Sequence, residues 1–163
     1  MTRIMLAALA LGSTLAFVLT GTSAFAQIDS TPPLLMGQRS FHIYSVPFVR
    51  SGGVEPFFEC TNTSDVAIRV GIEAFSGGGL AFNDPSATSL DIPPSGTRLF
   101  GPTNAWVGPD GDPGIAVSRG SARILATQKK GIICTAFLAD VFNAPPTSMV
   151  HLTIVAKLKQ KGD

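Results

Sequence analysis

The sequence predicts an antiparallel β-sandwich, and three features carry that prediction. About seven short runs rich in β-branched and aromatic residues are separated by Gly, Pro, Asn and Ser clusters roughly every 8–15 residues, the rhythm of an all-β domain. One run alternates strictly, with Val66, Ile68, Val70 and Ile72 interleaved with Ala67, Arg69, Gly71 and Glu73. A period of two buries the first set and wets the second. Two cysteines, Cys60 and Cys134, fall in separate runs and suit a disulfide staple between the two sheets. No stretch reads as a convincing helix. An immunoglobulin-like topology is the first choice, but that fold places its tryptophan on a strand against the disulfide. The single tryptophan, Trp106, lies in a long loop instead, so fibronectin-like and jelly-roll arrangements stay open.

In chain order, residues 27–39 hold Pro32, Pro33 and Gly37 without periodicity and read as a flexible lead-in to a domain over 40–161. Residues 40–50 carry Phe41, Ile43, Tyr44, Val46, Phe48 and Val49, a strand whose Pro47 suggests an edge or a bulge. Ser51, Gly52 and Gly53 turn the chain into a second strand over 54–61 with Cys60. The alternating strand follows, and Gly77, Gly78 and Gly79 end it. Residues 89–92 and 97–100 flank Pro93-Pro94-Ser95-Gly96 as a hairpin-like pair. Residues 101–114 (GPTNAWVGPDGDPG) form the longest patternless stretch. Residues 121–127 and 132–142 predict a hairpin about Lys129-Lys130-Gly131. The last strand, 150–161, sets Lys157, Lys159 and Lys161 on one face, a device that discourages edge-to-edge pairing.

The first 26 residues read as a cleavable signal peptide. Arg3 precedes an apolar stretch over 4–19, and Ala24-Phe25-Ala26 supplies the small side chains that a signal peptidase accepts before Gln27. The apolar run is short for a bilayer span, which takes about 20 residues. The expected mature protein is therefore exported, to the periplasm or beyond, with no membrane attachment after cleavage. There an even pair of cysteines is joined as a rule.

Charge is sparse: charged residues make up 14% of the chain against 45% hydrophobic, which excludes a disordered chain. Once Arg3 leaves with the leader, cationic and anionic side chains are equal in number, eleven each. A domain of that balance has no broad electrostatic hold on nucleic acid or anionic lipid.

A search for chemistry finds no catalytic residue and no cofactor motif. No serine sits in a Gly-x-Ser-x-Gly elbow. His42 and His151 each stand alone in a strand, and Glu55, Glu59 and Glu73 read as outward strand positions. Asp110 and Asp112 in the long loop are weak candidates for calcium, without the further ligands of an EF-hand loop. Asn62-Thr63-Ser64 matches a glycosylation sequon by accident. Trp106 is the candidate ligand-binding residue, offering a flat apolar face and one N–H. The competing reading folds Trp106 back to plug one end of the sandwich.

Residues 120–157, with "GSARILAT" and "ICTAFLADVFNAPPTSMVHLTIV", resemble a segment of small exported bacterial proteins whose role is uncharacterised. The resemblance implies a bacterial, exported protein and no activity. Together these readings favour a noncatalytic module that binds another protein or an envelope or extracellular polymer. The alternatives are an assembly subunit that adds residues 27–39 or the 40–50 strand to a neighbour's sheet and, more distantly, a small hydrolase.

Overall fold

The computed structural model describes residue 28 and residues 30–157. The expected leader over 1–26, Lys159 and Lys161 lie outside the described residues. Among those described the chain is all-β: β1 (Phe41–Val49), β2 (Glu55–Asn62), β3 (Ile68–Ser76), β4 (Leu90–Ile92), β5 (Thr97–Phe100), β6 (Gly120–Ala126), β7 (Ile132–Ala139), β8 (Met149–His151) and β9 (Val155–Ala156). They form a five-stranded sheet in the order β4-β3-β6-β1-β9 and a four-stranded sheet in the order β5-β2-β7-β8, all antiparallel.

The alternating side chains close one core between the sheets, with Val46, Val70, Ile72 and Ile124 from the first and Phe58, Phe100 and Ala136 from the second. Each of the larger of these side chains contributes about 1.5–3 kcal/mol through removal from water. Tyr44 crosses this core, its hydroxyl donating to the Ile132 carbonyl at 2.9 Å.

Cys60 and Cys134 are joined, with their Cα atoms 4.1 Å apart. The bridge does not staple the two sheets. Cys60 and Cys134 face each other on β2 and β7, neighbours in one sheet, so the disulfide cross-links a strand pair and the apolar core holds the sheets together. The strand order nevertheless follows the immunoglobulin plan, in which one sheet runs A-B-E-D and the other C-F-G: β1, β2, β3, β6, β7 and β8 take the B to G places in chain order, and β9 pairs with β1 where strand A would. β4 and β5 are added at the outer edges of β3 and β2, and six of the eight strand-to-strand steps cross between sheets.

That crossing also corrects both expected hairpins. β4 and β5 lie in different sheets, as do β6 and β7, so Pro93–Gly96 and Lys129–Gly131 are corners that carry the chain over the core edge. The last expected strand splits for a related reason. β8 ends the second sheet and β9 the first, while Leu152 and Ile154 between them pack on the core and close that side.

The outward face of β3 is covered, where a wetted one was expected. Gly71, Glu73 and Phe75 are all buried there, roofed by residues 84–86 and by the segment before β1. That segment is correspondingly not a loose lead-in over residues 30–40: Leu35 is fully buried and bonds reciprocally with Gln38 through the backbone.

Candidate functional site

Strand register gathers the long connections at one end of the sandwich. The pairs Val49–Gly120, Ser76–Gly120 and Glu55–Ala139 place residues 50–54, 77–89, 101–119 and 140–148 together. Among the described residues, the opposite end holds the shorter connections 63–67, 93–96 and 127–131. Asn62 organises that far end: its buried amide donates to the carbonyls of Val66 and Ile92 and accepts from Ser64, so the sequon's nitrogen is inside the fold.

The 101–119 connection lies over the outward face of the second sheet. Ala105 and Val107 pack on Phe57, Leu99 and Phe137, in a second apolar cluster where the Phe57 and Phe137 rings stack 5.1 Å apart. The loop meets this surface so closely that a Cβ on Gly101 would lie 2.4 Å from the Phe57 ring. Only glycine fits that approach.

Its two aspartates brace it. Asp110 accepts from the Leu99 backbone N–H at 2.8 Å and from Arg98 at 2.7 Å, tying the returning chain to β5. Asp112 accepts from the backbone N–H groups of Gly114 at 2.7 Å and Thr103 at 3.2 Å. Backbone bonds from Ala105 to Pro102 and from Gly108 to Ala105 wind the tip into two successive turns. Between them stands Trp106, 38% exposed. The loop therefore covers the sheet with Ala105 and Val107 and leaves Trp106 partly exposed, where a plug would be fully buried.

The 140–148 loop repeats the device. Asp140 accepts from the Phe142 backbone N–H at 2.8 Å, from the Thr147 hydroxyl at 2.8 Å and from the Asn143 amide. The Asn143 bond, then those from Phe142 and Thr147, hold the Asp140 carboxyl below its ordinary value. Phe142 is displayed at this turn and is 76% exposed, the most exposed large apolar side chain among the described residues. The sequence reading missed it by extending the preceding strand to residue 142. The sign was an Asp followed two and three residues later by an aromatic and an Asn, a turn-forming pattern.

Between residues 50–55 and 101–119 runs an open groove of about 510 Å³, lined by Ser51, Gly52, Glu55, Asp112, Ile115 and Ser118 among others. Partial burial raises the Glu55 carboxyl above its ordinary value; the Gly52 N–H bond opposes this and the Asp112 charge adds to it.

The other sequence candidates are scattered. His42 is buried on β1, its Nε2 3.0 Å from the Tyr44 carbonyl and 2.9 Å from Ser45 Oγ, whereas His151 stands exposed on β8 edge-on to Phe137. Glu73 is buried against Arg123 at 2.7 Å. Among the described residues no group of three or more His, Cys, Asp or Glu side chains could hold a metal ion, and no helix is long and apolar enough to cross a membrane. No family model, curated protein or solved structure matches the chain.

Proposed function

We propose that this protein is an exported, noncatalytic recognition module that binds another protein or a cell-envelope or extracellular polymer at the loop end of its sandwich. The observation that carries the reading is the pairing of rigid support with display. Asp110, Asp112 and Asp140 commit their oxygens to bracing two loops, and each loop holds out one large aromatic, Trp106 or Phe142. An exposed aromatic on a fixed loop loses little conformational freedom on binding, and aromatic anchors dominate recognition surfaces. An open groove between residues 50–55 and 101–119 lies at the same end of the sandwich.

The working place of the module is the periplasm or the cell exterior. The leader signals over 1–26 and the disulfide support this, and an intact mass that begins at Gln27 is the expected result for exported protein. The rival reading, assembly by strand addition, fits less well. β1 already has β6 on one side and β9 on part of the other, and the segment before it is seated on its own domain.

The test is a pull-down from the native envelope fraction with the wild-type protein, Trp106→Ala and Phe142→Ala in parallel. Partners retained by wild type and lost by either variant support the site. Partners retained equally by all three place recognition elsewhere. A mass that rises with concentration on size exclusion would favour assembly instead.

A further inference from the structure

The second sheet ends at β8, and the outer side of that strand is open. Backbone bonds from the Asp140 N–H to the Ser148 carbonyl at 3.2 Å and from the Leu152 N–H to the Ala136 carbonyl at 2.9 Å fix the phase of its pairing with β7. Antiparallel strands exchange bonds at alternate residues. Ser148, Val150 and Leu152 therefore turn their backbone groups toward β7, and Met149 and His151 turn theirs outward. The side chains are open as well. Val150 lies opposite the buried Leu138, on the core side of the sheet, yet is 59% exposed because no strand flanks it. Leu152 and Ile154 fill the gap between the sheets and leave β8 itself exposed along its length.

Among the described residues the other sheet ends are protected. β5 is capped by its own loop: the Leu99 carbonyl accepts from the Asp110 N–H at 2.8 Å, the Leu99 N–H donates to the Asp110 carboxylate at 2.8 Å, and the Gly101 N–H donates to the Gly111 carbonyl at 2.9 Å. β4 carries Asp91, paired with Arg69, and β9 runs directly into Lys157. Charge and cover of this kind keep edges from pairing with other chains. β8 has neither, and no Lys, Arg, Asp or Glu occurs from Val141 to Ala156. We propose that the edge of β8 takes up an extended segment of the partner protein as a further strand of the second sheet, with an uncharged, apolar side chain seated beside Val150. Main-chain bonds to Met149 and His151 supply the hold and the Val150 position the selectivity. The occupant is a partner rather than a second copy. Two copies paired edge to edge about Val150 would run antiparallel and point their loop ends in opposite directions, whereas a partner's strand laid along β8 continues past Ser148 into the 140–148 loop that displays Phe142. The proposal rests on the recognition reading above and deepens it by naming the partner as a protein.

Hydrogen exchange reads this edge amide by amide, in the full chain alone and with the native envelope fraction solubilised in mild detergent. Alone, the Val150 amide should be protected by β7, and those of Met149 and His151 should exchange freely. With the envelope fraction, Met149 and His151 should gain protection. Met149→Pro removes an outward donor and no bond to β7, a place where edge strands tolerate proline. Val150→Lys sets a charge on the edge. Both variants should unfold cooperatively in urea as wild type does, and both should lose the gain in protection at His151. No gain in wild type, while Trp106→Ala or Phe142→Ala still releases partners, overturns the strand proposal and leaves the recognition reading standing. Full protection kept in both edge variants overturns it as well. Protection at β8 with partners released by neither aromatic variant supports the strand site and overturns the loop-end reading. Protection in the protein alone that grows with its concentration identifies a second copy as the occupant and overturns the proposal.

Discussion

At the scale of single residues, Trp106 separates support from display. Its neighbours Ala105 and Val107 hold the loop to Phe57, while Trp106 itself is 38% exposed. Trp106→Ala should therefore cost less stability than the about 3–5 kcal/mol of a fully buried tryptophan. The urea midpoint reads the difference directly. Glu55 gives a prediction in pH. Its carboxyl is raised in the folded protein, so its contribution to stability is fully present below the ordinary glutamate pKa and is lost as pH rises through the higher folded value. Glu55→Gln keeps an oxygen for the Gly52 N–H and removes the buried charge. The variant should gain stability relative to wild type at pH 7 and show no such gain at pH 3.5, measured as urea midpoints at both. Asp140 runs the other way: its lowered carboxyl stabilises the 140–148 loop above the ordinary aspartate pKa, and that support is lost as pH falls through the folded value.

At the scale of elements, the disulfide and Gly101 define how the second sheet is built. Bridging residues 74 apart in sequence restricts the unfolded chain, an effect of about 4.5 kcal/mol at its upper end. Because Cys60 and Cys134 lie side by side on β2 and β7, reduction should loosen that pair first and shift the urea midpoint distinctly downward. An unchanged midpoint would show that the pair is held by its ladder alone. Gly101→Ala should force its methyl against the Phe57 ring and cost about 1–3 kcal/mol as an overpacked core does. The same strain should raise proteolysis within 101–119 while the rest of the domain resists.

The elements also show what was legible in the sequence. β1, β2, β3 and β5 stand close to their expected bounds because alternation and flanking turn residues are local signals. The corners were misread because Lys129-Lys130-Gly131 specifies a reversal and says nothing of which sheet receives the next strand. Glu73 was read as wetted because its cover comes from Arg123, fifty residues on, and from the segment before β1. Asp110 and Asp112 offer in sequence only a weak resemblance to calcium ligands in a turn. Their partners are backbone N–H groups and Arg98, which the spacing of a patternless loop does not disclose.

At the scale of the whole molecule, the sandwich is closed at both sides where the chain changes sheets, and its long described loops lie at one end. Two of those loops, braced by Asp110, Asp112 and Asp140, present aromatics to the surroundings. The sequence has one tryptophan, so its fluorescence reports on that end alone. The most direct test is acrylamide quenching of Trp106 in the purified protein, free and after addition of the native envelope fraction. The account predicts red-shifted, readily quenched emission in the free protein and protection from acrylamide when envelope material is present. Emission that is blue-shifted and unquenched in the free protein, or quenching that envelope material leaves unchanged, would contradict it.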